Sequence, residues 1–174
     1  MNDTIGEILI TEEKILARIK ELGKEITRDY QDEEILVICV LKGACIFMSD
    51  LIKRIESPVK IDFIAVSSYG ATTKSTGVVK IIKDLDQSIE GKNILIVEDI
   101  IDTGLTLHYL CDNLRSRNPA SLKVCTLLDK PARREVEMKS DYTGFEVENK
   151  FIVGYGLDYD EKYRNLPYIT CLNE

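Results

Sequence analysis

Paired carboxylates followed by a glycine- and threonine-rich turn make residues 93–106 the most chemically suggestive segment of the chain. Its apolar start, residues 94–97, predicts a buried strand. Glu98 and Asp99 follow that strand directly, and a helical pattern then extends over about 105–115. The turn between the acids and this helix contains Asp102, Thr103, Gly104, Leu105 and Thr106.

These residue types, in this order, predict a site for a ribose phosphate. Ligands of an open parallel sheet bind at the carboxyl ends of its strands. A glycine-containing turn that enters a helix presents free backbone N–H groups to a phosphate. Two acids beside that phosphate would repel it unless they face sugar hydroxyls or a divalent cation. We therefore expect the acids to bind the sugar and the turn to bind its phosphate.

Two other interpretations of this segment stay open at the level of sequence. The first is a strand that ends in a polar turn and binds no ligand. The second is a phosphoacceptor receiver domain, in which paired acids also follow a strand. In a receiver domain the pair lies near the start of the domain, whereas 97 residues precede Glu98 here.

The segment resembles the phosphoribosyl-pyrophosphate (PRPP) signature of the type I phosphoribosyltransferases. That signature has several apolar residues, two acids, two apolar residues and then Asp-Thr-Gly-x-Thr. The resemblance implies that Glu98 and Asp99 hold the ribose hydroxyls, partly through Mg²⁺, and that the turn 102–106 holds the 5′-phosphate. It also implies that Asp102 is the catalytic general acid or base at N7 of a purine.

Two further segments resemble loops of the same family. Lys42 and Gly43 lie where a predicted strand meets a helix, and the resemblance implies that they bind pyrophosphate, with a cis peptide bond between Leu41 and Lys42. Ser68 and Tyr69 resemble the start of a flexible loop that closes over the reacting centre and excludes water. An inert hairpin connection is the alternative for that loop.

The C-terminal third carries residues suited to an acceptor base. A lysine can only donate hydrogen bonds, so Lys130 aimed at a base selects a carbonyl oxygen over an amino group. Phe151 can stack on a purine, and Ile152 can offer backbone groups to the edge of the base. The resemblance assigns these base-binding roles, and it places Asp158 at a second Mg²⁺ and Arg164 at the pyrophosphate. A solvated lysine and a core phenylalanine are the alternatives.

Taken together, these segments resemble those of the hypoxanthine-guanine phosphoribosyltransferases of purine salvage. The resemblance implies transfer of the 5-phosphoribosyl group of PRPP to N9 of hypoxanthine, and also of guanine. The small-molecule partners are then PRPP, a 6-oxopurine, IMP or GMP, and pyrophosphate, with Mg²⁺ as the cofactor and a homodimer or homotetramer as the assembly. A xanthine-preferring enzyme is the nearest alternative, and a regulator that binds RNA or DNA with this fold is another.

Composition narrows the possible function classes. The chain has 174 residues, 44% hydrophobic and 30% charged, which predicts one soluble domain over 1–174. A net charge of −7 disfavours nucleic-acid binding, and no apolar run approaches the roughly 18 residues of a membrane span. The five cysteines form no C-x-x-C pair, and the N-terminus lacks a signal-peptide pattern. We expect free thiols, a cytoplasmic location, and no nucleic-acid or membrane partner.

Alternating strand and helix patterns predict an α/β fold with a mostly parallel twisted sheet flanked by helices. The predicted strands are 35–41, 59–67, 78–83, 94–97, 122–128 and 151–156, and the predicted helices are 11–29, 44–55 and 105–115. We expect strands 59–67 and 78–83 to pair antiparallel at one edge. The resemblance adds a small hood built from the terminal segments.

Overall fold

The computed structural model describes residues 4–68 and 79–173. Its strands are β1 (Thr4–Ile10), β2 (Ile35–Leu41), β3 (Val59–Ser68), β4 (Val79–Lys83), β5 (Asn93–Ile101), β6 (Ser121–Asp129), β7 (Tyr142–Glu146), β8 (Ile152–Val153) and β9 (Ile169–Asn173). Its helices are α1 (Glu12–Tyr30), α2 (Ala44–Leu51) and α3 (Leu105–Arg115), with 3₁₀ turns at Ile52–Arg54 and Pro131–Arg133. None of the helices described is long and apolar enough to cross a membrane.

Six strands form the main sheet in the order β4-β3-β2-β5-β6-β7. All neighbouring pairs are parallel except β3–β4, which is antiparallel at one edge. Residues 35–40 of β2 and 94–97 of β5 are buried, as an unbroken apolar run predicts for central strands covered on both faces. The predicted fold class and the antiparallel edge pair are therefore confirmed.

Helices cover the two faces of this sheet. α1 begins where Thr11 Oγ1 accepts a hydrogen bond from the Lys14 N–H at 3.4 Å, as an N-cap residue does. Its buried stripe joins α2 in the core on one face, while α3 covers the opposite face. The helix predicted over 44–55 is α-helical only to Leu51 and continues as a 3₁₀ turn.

A second, antiparallel sheet in the order β1-β9-β8 forms the expected hood. In this sheet β1 pairs with β9, and Thr4 lies opposite Asn173. The strand predicted over 151–156 is wrong in its extent, since β8 ends at Val153. The next three residues, 154–156, all have positive φ values, and this conformation turns the chain out of a strand.

Candidate active site

A cleft of about 330 Å³ lies where β2 and β5 end at the same edge of the main sheet. Adjacent parallel strands bring their carboxyl ends together, so segments far apart in sequence meet there. All the predicted sugar, phosphate and pyrophosphate residues except Leu105 line this cleft: Lys42, Gly43, Glu98, Asp99, Asp102, Thr103, Gly104, Thr106 and Arg164. Of the predicted loop residues, Ser68 ends β3, and Tyr69 lies outside the described residues.

Glu98 and Asp99 are neighbouring carboxyls near the end of β5. Burial raises the pKa of Glu98 well above its ordinary value, and the charge of Asp99 adds to the effect. Burial also raises the pKa of Asp99 to about 6, although the Ile100 N–H, 2.7 Å from Asp99 Oδ1, and the charge of Arg164 oppose this shift. Two desolvated carboxyls that disfavour each other's ionisation form a site that a cation stabilises.

The turn after β5 has the geometry of an anion site. Gly104 has a φ of 83°, in the left-handed region that favours glycine, and it is the N-cap of α3. The Leu105 N–H donates to Thr103 Oγ1 at 3.3 Å. The first N–H groups of a helix carry the positive end of its dipole, so the start of α3 attracts a phosphate.

Asp102 lines the cleft with 38% of its side chain exposed. Within the described ranges its Oδ1 accepts no hydrogen bond, and Arg133 Nε lies 3.4 Å from it as an ion-pair partner. Lys130 is also near, because the charge of Asp102 opposes the lowering of the Lys130 pKa that burial causes. Asp102 therefore offers a carboxylate oxygen with free acceptor capacity beside two cations.

Lys42 and Gly43 form the wall of the cleft that follows β2. The peptide bond between Leu41 and Lys42 is cis, as the resemblance implied. Gly43 lies so close to the acids of β5 that a Cβ at this position would fall 1.9 Å from Asp99 Oδ2. Only a glycine leaves both the loop and the carboxyl in place.

Glu161 joins the two cations of this wall, a contact that sequence reasoning missed. Lys42 Nζ lies 3.1 Å from Glu161 Oε2, and Arg164 Nη2 lies 3.3 Å from Glu161 Oε1. Arg164 Nη2 also pairs with Asp158 at 3.0 Å. The available signal was the acidic run 158–161, which follows directly after the last segment assigned to the base. Because Lys42 and Glu161 are both largely exposed, their ion pair contributes little stability and can be exchanged for another anion at little cost.

The predicted base-binding residues lie together beside the cleft and do not line it. Lys130 is 5% exposed, and its Nζ donates to the Lys150 carbonyl at 2.8 Å. The next residue, Phe151, is 53% exposed and meets the ring of Tyr159 edge-to-face at 5.4 Å. Ile152 is buried in β8. The alternatives of a solvated lysine and a core phenylalanine are therefore wrong.

The acids predicted to bind metal do not form a closed cage. Within residues 4–68 and 79–173, no three His, Cys, Asp or Glu side chains converge closely enough to enclose a metal ion. Asp158 is nevertheless near the pair on β5, because its charge contributes to the raised pKa of Asp99. An open set of carboxylates suits Mg²⁺, which keeps several waters and takes oxygens from a substrate.

A basic pair also reaches the site: Arg133, which ends the second 3₁₀ turn, and Arg134, which follows it. Sequence analysis gave residues 132–149 no role. Besides the contact of Arg133 with the Asp102 carboxylate, Arg134 Nη1 donates to the Asp102 carbonyl at 3.1 Å. Arg134 also binds the carboxylate of Asp129. The nearness of this pair to Lys130 in the sequence was the available signal.

Comparison with known proteins agrees with this geometry. The family model of the phosphoribosyl transferase domain matches residues 6–160 of the chain. The chain belongs to this family. The hypoxanthine-guanine phosphoribosyltransferase of Bacillus subtilis (strain 168) is 58% identical over 172 residues, which are 99% of this phosphoribosyltransferase and 96% of that protein. In Listeria monocytogenes serotype 4b, the bifunctional protein TilS/HprT is 54% identical over 99% of the chain, which spans 26% of that longer protein.

Solved structures place this phosphoribosyltransferase in the same group. A crystal structure of a hypoxanthine-guanine phosphoribosyltransferase from Bacillus anthracis matches with a TM-score of 0.94 at 53% identity, covering 98% of this chain and 100% of that one. The predicted family, fold class and enzyme class are confirmed, and the activity named for the relatives is the one that the resemblance implied.

Proposed function

We propose that the protein transfers the 5-phosphoribosyl group of PRPP to N9 of hypoxanthine and of guanine, forming IMP or GMP and pyrophosphate. The observation that supports this most directly is the single cleft shared by three separately predicted sets of residues, for the sugar, the phosphate and the pyrophosphate. The base-binding residues adjoin that cleft, since Lys130 and Asp102 are neighbours.

In this proposal each wall of the cleft binds one part of PRPP. Glu98 and Asp99 hold the ribose hydroxyls. The backbone N–H groups and threonine hydroxyls of the turn 102–106 hold the 5′-phosphate. Lys42, together with Gly43 and Arg164, receives the pyrophosphate and gives up its contact with Glu161.

The acceptor base lies against Asp102 and Lys130. N9 forms a bond to C1′ of the ribose as the bond from C1′ to the pyrophosphate oxygen breaks, and pyrophosphate leaves with that electron pair. The purine must then lose a proton, and Asp102 accepts it from N7. Lys130 donates to the 6-oxo oxygen, Phe151 stacks on the ring, and the backbone of Ile152 binds the edge of the base.

Mg²⁺ is the proposed cofactor, held by Glu98, Asp99 and Asp158 together with substrate oxygens. When bound, the ion neutralises charge on the leaving pyrophosphate. The raised pKa values of the two acids on β5 support a cation at this position. The proposal includes a cytoplasmic enzyme, with which the five free cysteines agree, and a homodimer or homotetramer.

Nucleotide formation from PRPP tests this proposal, measured with and without Mg²⁺ for hypoxanthine, guanine, xanthine, adenine and uracil. We expect IMP and GMP, each with an equal amount of pyrophosphate, and very little product from adenine. A clear preference for xanthine would change the acceptor and leave the PRPP chemistry intact. Tight RNA binding at physiological salt without product from any base would contradict the proposal and favour a regulator.

A further inference from the structure

The back of the turn 102–106 is bound by the segment that follows β6. The Lys130 N–H donates to the Ile101 carbonyl at 3.0 Å. The Glu135 N–H donates to the Thr103 carbonyl at 2.9 Å. The carbonyl at the end of β5 and the Thr103 carbonyl of the turn, on either side of Asp102, therefore face the segment 130–135.

Arg134 binds the Asp102 carbonyl, which lies between the two carbonyls that these backbone hydrogen bonds reach. Its Nη1 donates to the Asp102 carbonyl at 3.1 Å, and its Nη2 binds the carboxylate of Asp129 at the end of β6. Its aliphatic part lies directly behind the turn, because a Cβ on Gly104 would fall 3.1 Å from Arg134 Cδ. The Arg134 side chain is only 16% exposed. The guanidinium is thus a mostly buried fork that joins β6 to the turn.

Binding these three carbonyls determines where the N–H groups of the turn point. In a planar trans peptide, the carbonyl of one residue and the N–H of the next point in opposite directions. Since the carbonyls of residues 101–103 face the segment 130–135, the N–H groups of residues 102–104 point away from it. Residues 102–104 line the cleft, so we infer that these N–H groups face it. A phosphate in the cleft therefore meets donors that are already oriented.

We propose that Arg134 is a positioning residue for the 5′-phosphate, holding the amides of the turn in their phosphate-binding orientation from behind and without touching the phosphate. This inference rests on the proposed function, since it takes the turn as the phosphate site. Arginine suits the role because its planar group donates in several fixed directions, here to a carboxylate and a carbonyl at once. Lysine offers the same charge on a flexible stem without that fork.

Binding of IMP and of inosine, measured by calorimetry, tests the inference because the two ligands differ only in the 5′-phosphate. Wild-type protein should bind IMP far more tightly than inosine, and equal affinities would contradict the phosphate site itself. In Arg134→Gln, the ratio of IMP affinity to inosine affinity should fall ~10-fold or more, the scale of a lost hydrogen bond to a charged group. An unchanged ratio would overturn the role of Arg134 and leave the proposed function standing.

Asp129→Asn distinguishes positioning from direct contact with the phosphate. This variant keeps the charge of Arg134 and weakens its anchor, so positioning predicts a lower ratio. An unchanged or higher ratio would mean that the arginine binds the phosphate directly, and it would overturn the inference. Because both ligands are measured on the same preparation, a smaller folded fraction changes the apparent site number and leaves the ratio intact.

Two further variants test the importance of charge and geometry. Arg134→Lys should restore only part of the ratio, because the charge returns without the fork, and full restoration would contradict the positioning role. Arg115→Gln, at the exposed C-terminal end of α3, removes the same charge far from the turn and is the matched control. Its ratio should equal that of the wild type, and a loss equal to that of Arg134→Gln would overturn the inference.

Discussion

At the scale of single residues, the carboxylates of the cleft differ in their surroundings and so in their chemistry. Glu98 and Asp99 are desolvated neighbours, and burial raises the pKa of both. Asp102 is partly exposed, pairs with Arg133, and has an oxygen that accepts no hydrogen bond within the described ranges. Desolvated, mutually repelling acids suit a cation and a sugar, whereas a carboxylate oxygen without a hydrogen-bond donor suits a proton from a base.

Replacing Asp102 with Asn keeps the size of the side chain and removes the proton acceptor. The rate of the chemical step should fall ~10²-fold or more, the usual contribution of general acid–base catalysis. PRPP binding should be largely kept. Single-turnover formation of IMP measures the step directly, and Asp112→Asn on the exposed face of α3 is the matched control. An unchanged chemical step would rule out this role for Asp102.

Replacing Lys130 with Ser removes the donor assigned to the 6-oxo oxygen. The kcat/KM for hypoxanthine and guanine should fall at least ~10-fold, because a buried charged hydrogen bond is lost. The gap between these bases and adenine should narrow, since the wild-type site leaves the amino group of adenine without an acceptor. Steady-state rates with all three bases give the comparison. A wild-type protein that used adenine as readily as hypoxanthine would refute the assignment.

At the scale of elements, close contact between two loops sets the shape of the cleft. The loop after β2 and the loop after β8 meet through glycines, since a Cβ on Gly156 would fall 2.1 Å from the Gly43 carbonyl oxygen. The Gly156 carbonyl in turn accepts a hydrogen bond from Arg164 Nη1 at 2.7 Å. The loop that carries Lys42 and the loop after β8 are therefore joined through the backbone of their glycines, and Arg164 binds the same backbone.

Replacing Gly43 with Ala tests this contact. The added methyl group must displace Asp99 or the loop, so Mg²⁺-dependent PRPP binding should weaken strongly and the free energy of unfolding should fall by about 1–3 kcal/mol. Denaturant melts and PRPP titrations measure the two effects. Gly91→Ala is the matched control, because nothing lies within 4 Å of its Cβ position and its φ of 70° adds only backbone strain. PRPP binding as weak in Gly91→Ala as in Gly43→Ala would show that the contact with Asp99 is not the cause.

Elements with strong apolar patterns could be predicted from sequence, and those defined by their neighbours could not. The unbroken apolar runs in β2 and β5 and the apolar stripe of α1 predict these three elements from sequence alone. Edge strand β7 was missed because its residues are mostly half-buried, so no apolar alternation marks it. The contacts of Glu161 and Arg134 were missed for a related reason: each reaches a loop more than 30 residues away, and only the folded sheet brings them together.

At the scale of the whole molecule, the acids of the cleft couple stability to pH. The pKa of Asp99 rises from 3.8 to about 6 on folding. Between these two pH values the folded state therefore holds a proton that the unfolded state has already released. Stability contributed by this group therefore falls as the pH rises through that interval. Glu98 shifts in the same direction. At neutral pH, a bound cation should offset the repulsion that remains.

Changing Glu98 to Gln and Asp99 to Asn together should remove this dependence. The decline in melting temperature between about pH 4 and pH 6 should be smaller than in the wild type, because the shifted groups no longer titrate. At pH 7 the double variant should be at least as stable as the wild type, yet Mg²⁺ with PRPP should no longer raise its melting temperature. Melting curves across this pH range, with and without ligand, test both effects. A variant that unfolds would show that these acids are structural.

The hood has a consequence for the order in which the enzyme is made. Domains are synthesised from the N-terminus, at about 5–20 residues per second. The strand that precedes Lys42 and the strand that carries Asp99 can pair as soon as β5 has left the ribosome, whereas β8 with Ile152 pairs, within the described residues, with β9 near the C-terminus. In a nascent chain, the pairing of β2 with β5 can therefore form before Asp158 and Arg164 have been made, and β8 gains its partner β9 only once translation has reached residues 169–173.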